Sequence, residues 1–355
     1  MDIFAILNCL IFCGMGLIVL NHVRVNWDNE KKKPYRYSEI IDGVLFFVMG
    51  YMFLTFLDKE SVAAKNARNF NLIIFIINIL ILIWIEGLNI NIYRRKCKKN
   101  PELVEERNYD KFLKKLKNAY DEKSHRKDII KDLSRKFLHI VILGVVFGVY
   151  GLANADFMQD NLNNWGLTPI AFRNGVYLLA AGFFVLMFSY ADSIRLSHFE
   201  YCPDWAHKWY FKSLEPSTES YTYISSVPFL LSLASLLYIP YDAVIFSAAM
   251  ISCIADAAAS VIGKSFGDHK MENFGVYPEK SFEGMLAGAF SAYISVFLVF
   301  HTFHKATPAG WDNLLAFIGA VIFILIDAYG KAVADNILNT LIPAYVFWII
   351  LSLLP

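Results

Sequence analysis

Charged residues are scarce in this chain. Asp, Glu, Lys and Arg together make up 18% of its 355 residues, whereas 56% are hydrophobic and 16% are aromatic. This balance excludes an ordinary soluble domain, in which about 25% of residues are charged. The formal net charge of +1 also gives no sign of the basic surface that nucleic-acid-binding proteins carry. We therefore expect a polytopic membrane protein that does not bind nucleic acid.

Paired cysteines are missing as well. The five cysteines form no C-x-x-C pair and show no spacing typical of zinc ligands, so we expect neither a disulfide framework nor a zinc site. A basic region before the first apolar run is also absent, because Asp2 is the only charged residue ahead of His22. This first run is predicted to be a membrane span and not a cleaved signal peptide.

Apolar runs of about twenty residues, the length that crosses a bilayer, recur along the whole chain. They predict an all-α integral membrane protein with about ten transmembrane helices, or nine if the two runs that meet at Pro240 form one span. The predicted spans are residues 2–22, 39–57, 70–92, 137–155, 171–191, 221–239, 241–263, 282–301, 313–329 and 337–354.

Lys and Arg are distributed unevenly between the loops. Alternate loops, residues 23–37, 93–136, 193–220, 264–281 and 330–336, hold 28 of the 33 Lys and Arg residues. Cytoplasmic loops carry such an excess. These loops are therefore predicted to be cytoplasmic, with both termini on the non-cytoplasmic side.

Composition divides the chain into three segments. Residues 1–92 are predicted to be an N-terminal three-helix membrane segment, and residues 93–136 a basic cytoplasmic linker. Residues 137–355 are predicted to be a catalytic membrane domain whose first motif begins at residue 132. Within the linker, apolar residues recur at helical spacing: Tyr109, Phe112, Leu113, Leu116 and Tyr120. This pattern fits an interfacial helix on an anionic leaflet and a solvated linker helix equally well.

Residues 251–284 carry most of the candidate chemistry. Asp256 lies among small residues inside an apolar run, and an acid at membrane depth is a functional-site candidate by default. Glycine-rich and lysine-bearing turns follow it. Residues 258–265 read A-x-x-x-x-G-K-S, but they lack the first Walker glycine and follow a membrane helix, which excludes a P-loop. The pair Gly263-x-x-x-Gly267 also fits a helix-packing motif.

Four further polar motifs fall on the same predicted cytoplasmic face: R-K-x-x-H at 135–139, D-x-x-R-L at 192–196, Glu215 and Asp335-Asn336. Each has an ordinary explanation, such as topology anchors, an ion pair at a helix end, or an N-cap. Together they indicate an active site at the membrane–cytosol boundary. Phosphoryl transfer needs such a set: cations for phosphate, carboxylates for magnesium and nearby backbone amides.

The motifs also resemble those of a known family. R-K-x-x-H, D-x-x-R-L, D-x-A-A-x-x-x-G-K-x-x-G at 256–267, K-S-x-E-G at 280–284 and the late Asp-Asn pair occur in the order and spacing of the CTP-dependent lipid kinases. That family comprises dolichol or polyprenol kinase, phytol kinase and CTP-dependent diacylglycerol kinase. It is distantly similar to phosphatidate cytidylyltransferases. The resemblance runs from Asp132 to the C-terminus and leaves out the first 130 residues.

The resemblance implies transfer of the γ-phosphate of CTP to the hydroxyl of a membrane lipid alcohol, with Mg²⁺ or another divalent cation. Polyprenol or dolichol leads as acceptor, followed by diacylglycerol and phytol. The site would face the cytoplasm, from the endoplasmic reticulum membrane in a eukaryote or the cell membrane in a prokaryote. The chain departs from the family at Asp327, where a glutamate is expected.

The resemblance and the chemistry of the motifs give three sets of candidate residues. The catalytic set is Arg135, Lys136, His139, Asp256 and Lys280. The nucleotide-binding set is Arg195, Glu215, Gly263, Lys264, Gly267, Ser281, Glu283 and Gly284. The metal-binding set is Asp256, Glu283, Asp335 and Asn336.

Two other functions remain open from the sequence. A cytidylyltransferase would join CTP to a lipid phosphate and release pyrophosphate. A lipid or anion transporter is the second alternative, but transporters usually place charges near the membrane midplane, whereas here they gather at one boundary.

Overall fold

The apolar runs of the sequence form helices throughout. The computed structural model describes residues 2–59, 64–121, 125–216, 218–272, 274–278, 280–304 and 310–353, with side chains at 56–59, 64–65, 67, 120–121, 125–135 and 138 left out. Within these ranges there is no strand, only an isolated antiparallel bridge between Lys270 and Ser281. The all-α class is thus confirmed for the described part of the chain.

Sixteen α-helices are found in these ranges. They are α1 (Ile3–Val25), α2 (Arg36–Lys59), α3 (Ala64–Leu82), α4 (Asn91–Lys99), α5 (Glu102–Glu106), α6 (Tyr109–Asp121), α7 (His125–Ala153), α8 (Asp156–Asn164), α9 (Pro169–His198), α10 (Asp204–Ser213), α11 (Ser226–Ser235), α12 (Asp242–Met250), α13 (Asp256–Phe266), α14 (Phe282–Phe303), α15 (Trp311–Tyr329) and α16 (Asp335–Leu353). Two π-helical segments, Ile83–Ile90 and Ile251–Ala255, join α3 to α4 and α12 to α13.

Among the described residues, eight helical stretches are long and apolar enough to cross a membrane. A ninth would be the pair His139–Ala153 and Asp156–Asn164, which is bent by 74°. The predicted count of about ten is therefore not confirmed. The predicted span 221–239 is helical only over Ser226–Tyr238, which at 1.5 Å per residue reaches about 20 Å of the ~30 Å needed.

Hydroxyl and carboxylate side chains start several of these helices. Thr168 Oγ1 accepts a hydrogen bond from the Ala171 amide at 3.1 Å at the start of α9. Ser281 Oγ accepts one from the Gly284 amide at 3.2 Å at the start of α14. Such N-caps satisfy amides that have no partner within the helix, so the last residues before α14 are held in a fixed conformation.

The chain divides into two units: residues 1–123 with 148–234, and residues 124–147 with 235–355. The three segments predicted from composition stay a prediction about domain organisation. In the first unit α1 packs against α2, α3 and α9, and its core contains Phe12 and Phe53 with ring centroids 5.1 Å apart.

The apolar face of α6 is covered by protein within the first unit. Leu113 and Leu116 are buried, and the rings of Tyr109 and Phe112 lie 4.9 and 4.7 Å from that of Phe199. Side chains committed to these contacts are not available for insertion into a leaflet. The lysines of α6 remain exposed on its other face.

In the second unit α14 contacts α12, α13 and α15. Phe300 of α14 packs edge-on against Phe347 of α16, with centroids 5.5 Å apart. The short connections of this unit bring the beginnings of α13, α14 and α16 and the end of α15 into one polar region.

Candidate active site

Asp256 is the first residue of α13, directly after the π-helical segment Ile251–Ala255. Single π-helical turns inside longer helices frequently mark functional sites, because the extra residue re-aims the side chains beside it. Here the helix from Asp242 to Phe266 runs on as one apolar stretch, with a half-buried carboxylate at its centre.

Lys136 of α7 is bonded to Asp256. Its Nζ lies 2.8 Å from Asp256 Oδ2 and 2.7 Å from the Asp256 carbonyl oxygen. The Lys136 side chain is 10% exposed and that of Asp256 22%, so the pair is well shielded from water. The structure therefore brings together two residues of the predicted catalytic set that are 120 positions apart.

Lys280 forms the second pair of this kind. Its Nζ donates to Asp327 Oδ1 at 2.7 Å and to the Asp327 carbonyl at 3.1 Å. Burial acts to lower the pKa of Lys280, but the carboxylates of Asp327, Asp335 and Asp256 outweigh it and raise this pKa above its ordinary value. Lys280 is therefore a cation at neutral pH, and three acidic residues act on it at once.

Asp335 completes a group of five charges, which we call the Lys–Asp cluster: Lys136, Asp256, Lys280, Asp327 and Asp335. Asp335 begins α16, and its Oδ1 accepts a hydrogen bond from the Asn336 amide at 2.9 Å. Asp335 is exposed, whereas Asn336 is buried. With two lysines and three aspartates, the cluster carries a formal charge of −1.

The glycines of residues 263–284 were candidates for a phosphate cradle, but three of them, Gly263, Gly267 and Gly284, make close helix-packing contacts. A Cβ added at Gly284 would lie 2.6 Å from the Ala259 carbonyl and 2.9 Å from Gly263 Cα. One added at Gly267 would meet Ser281 Oγ at 2.4 Å. Helices α13 and α14 cross at these positions because neither backbone carries a side chain there.

Glu283 is engaged by the loop that precedes α14. Its carboxylate accepts hydrogen bonds from the His269 amide at 3.2 and 3.3 Å and pairs with the His269 ring at Nδ1. Its proposed role in nucleotide or metal binding stays a prediction. In the structure it ties the start of the loop to the first turn of α14.

Three further candidates belong to the second unit: His139, Lys264 and Arg135. His139, three residues after Lys136 on α7, is 4% exposed, and its carbonyl accepts a hydrogen bond from Cys253 Sγ at 3.3 Å. Lys264 is half-buried on α13. Arg135 lies in α7, but its side chain is outside the described part of the chain.

Arg195 and Glu215 belong to the first unit. Arg195 is 1% exposed, and its donors are directed to Asp192 Oδ1 at 2.7 Å, Tyr109 Oη at 2.6 Å and the carbonyls of Glu219 and Thr222. Asp192 and Arg195 thus form the ion pair at a helix end that is the ordinary explanation of the D-x-x-R-L motif. Glu215 is half-buried, and its amide donates to Glu219 Oε2 at 2.9 Å.

Sequence reasoning missed the role of Asp327. It noted this residue only as a departure from the resemblance, whereas the structure makes it the partner of Lys280. The signal available was its place at the last turn of an apolar helix, eight residues before Asp335. Spacing alone does not identify a partner 47 residues away.

The donor set of the cluster fits a divalent cation that arrives with its nucleotide. Among the residues that the structure describes, no three His, Cys, Asp or Glu side chains are grouped as a metal cage. Mg²⁺ in nucleotide-dependent enzymes is commonly held by one or two carboxylates together with phosphates and water. Asp256 and Asp335 supply two carboxylates in one cluster, which suits that mode of binding.

A comparison with family models finds one similarity. Residues 171–334, somewhat less than half of the chain, match the model of the cytidylyltransferase family. The match includes Asp256, Lys280 and Asp327 and ends one residue before Asp335. No curated protein and no solved structure matches the chain. The chain is thus similar, over this range, to a family of transferases that act on nucleotides.

Proposed function

We propose that this protein is a CTP-dependent lipid kinase that transfers the γ-phosphate of CTP to the hydroxyl of a membrane lipid alcohol. Polyprenol or dolichol leads as acceptor, with diacylglycerol and phytol next. The observation that carries the proposal is the Lys–Asp cluster, in which two lysines and three aspartates from α7, α13, α15, α16 and the loop before α14 meet beside helices of membrane-spanning length.

The two ion pairs provide the charges that a bound nucleotide needs. Without nucleotide, Asp256 and Asp327 hold the two lysines in place and neutralise them. Lys136 and Lys280 would bind the phosphates of an incoming triphosphate, and Asp256 and Asp335 would hold its divalent cation. Mg²⁺ would supply charge neutralisation between the β- and γ-phosphates. Because the cluster has a net charge of −1, we expect it to repel a triphosphate that carries no metal.

The transfer itself needs few further groups. Phosphoryl transfer proceeds mostly by positioning and charge stabilisation, which Lys136 and Lys280 provide as charge moves onto the leaving diphosphate. The lipid oxygen forms the new bond to phosphorus, CDP leaves, and the hydroxyl proton passes to a carboxylate of the cluster or to His139, one helical turn from Lys136.

We place the site at the cytoplasmic face, because the Lys- and Arg-rich loops adjoin it. In a eukaryote the membrane would be that of the endoplasmic reticulum, and in a prokaryote the cell membrane. CTP is a cytosolic nucleotide, which agrees with this side.

The matched family description favours a second function, a cytidylyltransferase. In that reaction a lipid phosphate attacks the α-phosphate of CTP, a CDP-lipid forms and pyrophosphate leaves. The same cations and metal would serve it. The kinase is preferred because the R-K-x-x-H, K-S-x-E-G and Asp-Asn motifs together resemble the lipid kinases.

The decisive experiment is to incubate purified protein with CTP labelled at either the α- or the γ-phosphate, Mg²⁺ and a panel of lipid alcohols and lipid phosphates. A kinase moves only the γ-label to an alcohol and releases CDP. A CDP-lipid with pyrophosphate would instead identify the cytidylyltransferase.

Asp256→Asn should reduce this transfer by about 10²- to 10³-fold, the usual effect of removing one charge-stabilising group. Asp242→Asn is the matched control, since Asp242 is the first residue of the same apolar helix, 14 positions before Asp256. Near-normal transfer by a correctly inserted Asp256→Asn protein would refute the site.

A further inference from the structure

A groove lies in the first unit, away from every residue of the Lys–Asp cluster in sequence, and one of its residues, Ser193, lies inside the D-x-x-R-L motif. It has a volume of about 170 Å³ and is formed by the last turns of α1, the last turns of α9 and Tyr223. Its lining residues are Ile18, Asn21, His22, Val25, Asn26, Ser193, Ser197 and Tyr223.

The wall of this groove is mainly apolar by area, and its polar groups are uncharged. None of its eight lining residues is Asp, Glu, Lys or Arg, and the polar ones carry amide, hydroxyl and imidazole groups. Phosphate sites in proteins are usually rich in Arg or Lys, and neither lines this groove. Amides and hydroxyls both donate and accept, so this wall suits a ligand that does the same.

Two hydroxyls of the wall have a fixed direction. Ser193 Oγ donates to the Ser189 carbonyl at 2.8 Å, and Tyr223 Oη lies 3.0 Å from Ser193 Oγ. Because the single Ser193 hydrogen is used in the first bond, Tyr223 must donate in the second. The Tyr223 oxygen therefore keeps its lone pairs as an acceptor on the groove wall.

His22 contributes a donor. Its Nε2 lies 2.8 Å from Lys32 Nζ, and since an ammonium group only donates, Nε2 accepts and the neutral ring carries its hydrogen on Nδ1. This Nδ1 is buried without a hydrogen-bond partner, on a side chain that is 9% exposed. A buried donor left without an acceptor is costly.

A buried acceptor stands next to that donor. Glu39 Oε2 lies 3.9 Å from His22 Nδ1, too far for a hydrogen bond, and Glu39 Oε1 is buried with no partner. Glu39 is 3% exposed. One ligand hydroxyl, which accepts and donates at the same time, would bridge His22 Nδ1 and the Glu39 carboxylate.

An apolar track leads to the groove along α1. Exposed apolar side chains recur about every seven residues, on one side of the helix: Ile3, Leu10, Leu17, Ile18 and Val25. The last two also line the groove. Since α1 is long and apolar enough to cross a membrane, this track is a surface for hydrocarbon.

We propose that the groove binds the hydroxyl end of an uncharged membrane lipid alcohol, with the hydrocarbon chain along the apolar track of α1. The hydroxyl accepts from His22 Nδ1 and donates to Glu39, while Tyr223 and the groove amides contact its neighbouring oxygens. This inference concerns binding alone. It holds whether the second unit transfers a phosphoryl or a cytidylyl group.

The test is photo-crosslinking of the full chain in phosphatidylcholine nanodiscs without nucleotide, using a diazirine-bearing diacylglycerol. Peptide mapping should place the label on α1 and α9. The O-methyl ether of the same probe cannot donate, and its labelling should fall by about tenfold or more, the effect of one lost hydrogen bond to a carboxylate. The phosphate ester of the probe should label these helices no more than the ether does.

Variants separate this groove from general lipid contact. Ser197→Phe fills the groove from an exposed position and should abolish labelling without disturbing the fold, which size-exclusion chromatography checks. Ser193→Ala should weaken it severalfold, whereas Ser232→Ala, at a buried serine of α11 outside the groove, should leave it unchanged. Equal labelling by alcohol and ether, or unchanged labelling of Ser197→Phe, would overturn the proposal. Because no turnover is measured, these results do not depend on the proposed kinase activity.

Discussion

Lys280 and Asp327 are joined twice, through the Asp327 carboxylate at 2.7 Å and through its backbone carbonyl at 3.1 Å. The carbonyl belongs to the last turn of α15 and therefore fixes the position of the Lys280 ammonium. The Asp327 carboxylate neutralises the charge of that ammonium. Lys280 also lies 4.8 Å from the centroid of the Tyr277 ring. The cation is thus held in place before any ligand arrives.

Asp327 should therefore act as a positioning residue for Lys280. We expect Asp327→Asn to lower kcat by about tenfold, less than the 10²- to 10³-fold loss expected for Lys280→Ala, because the backbone carbonyl still holds the lysine. Asp327→Glu, which places the expected family residue here, should retain most of the activity. The measurement is a steady-state comparison of kcat and of KM for CTP.

The control for this prediction is Asp312→Asn, at the opposite end of the same helix. It should change neither constant. Equal activity of Asp327→Asn and the unmodified protein would contradict the positioning role, as would equal loss in Asp327→Asn and Asp327→Glu.

Gly284 allows the close crossing of α13 and α14. A Cβ at this position would lie 2.6 Å from the Ala259 carbonyl, and the contact is backbone that cannot rotate away. We expect Gly284→Ala to destabilise the protein by about 1–3 kcal/mol, as overpacking usually does. Gly144→Ala is the matched control, since a Cβ there would meet nothing within 4 Å and alanine favours the helix.

The measurement is the midpoint of thermal unfolding of the two variants in one detergent. The midpoint of Gly284→Ala should fall, and that of Gly144→Ala should stay or rise. A phosphate cradle built on Gly284 would instead predict weakened CTP binding with an unchanged midpoint.

The composition of the site could be predicted from the sequence, but its pairing could not. Asp256 and Lys280 stand out because charged residues inside or beside apolar runs are costly unless they have a role. Nothing in the spacing connects Lys136 with Asp256 across 120 residues, since that contact depends on how two helices pack. The partnership of Asp327 with Lys280 could not be predicted for the same reason, because it also depends on tertiary packing.

The fold shows a similar limit. Apolar composition predicted the all-α class and most of the long helices. It overestimated the length of the helix predicted for residues 221–239, because hydropathy does not show where a helix starts. This helix begins only at Ser226. The glycines of 263–284 fit two interpretations, a phosphate cradle and helix packing, and distances to a neighbouring helix were needed to tell which contacts they make.

His269 and Glu283 should make the start of the loop before α14 sensitive to pH. The hydrogen bond and the charge of Glu283 raise the pKa of His269 above its ordinary value of about 6.5. The ionic contribution of this pair is therefore complete below pH 6.5 and is lost as the pH rises through the raised pKa. Above that pH the neutral ring retains only a hydrogen bond.

We expect the amides of residues 269–271 to exchange roughly two- to fivefold faster at pH 9 than at pH 6.5, after correction for intrinsic exchange, as is typical for the loss of an exposed ion pair. His269→Ala should remove this difference. His301→Ala, at an exposed histidine that also faces an aspartate, should preserve it. A pH effect that survives in His269→Ala would assign it to another group.

A substitution of Arg195 should show whether this residue stabilises the fold or binds nucleotide. Its guanidinium is buried and bonded to Asp192, to Tyr109 and to the carbonyls of Glu219 and Thr222, so it ties α9 to α6 and to the segment that leads into α11. Removing one partner of a buried ion pair commonly costs about 3–5 kcal/mol. We expect Arg195→Ala to lower the unfolding midpoint strongly, and the protein that remains folded to bind CTP with an unchanged KM.

Arg24→Ala, at an exposed position of the same unit, should change neither quantity. A large rise in KM for CTP with a normal midpoint would instead return Arg195 to the nucleotide-binding set, because a residue that only holds the fold together has no means of weakening nucleotide binding in molecules that are still folded.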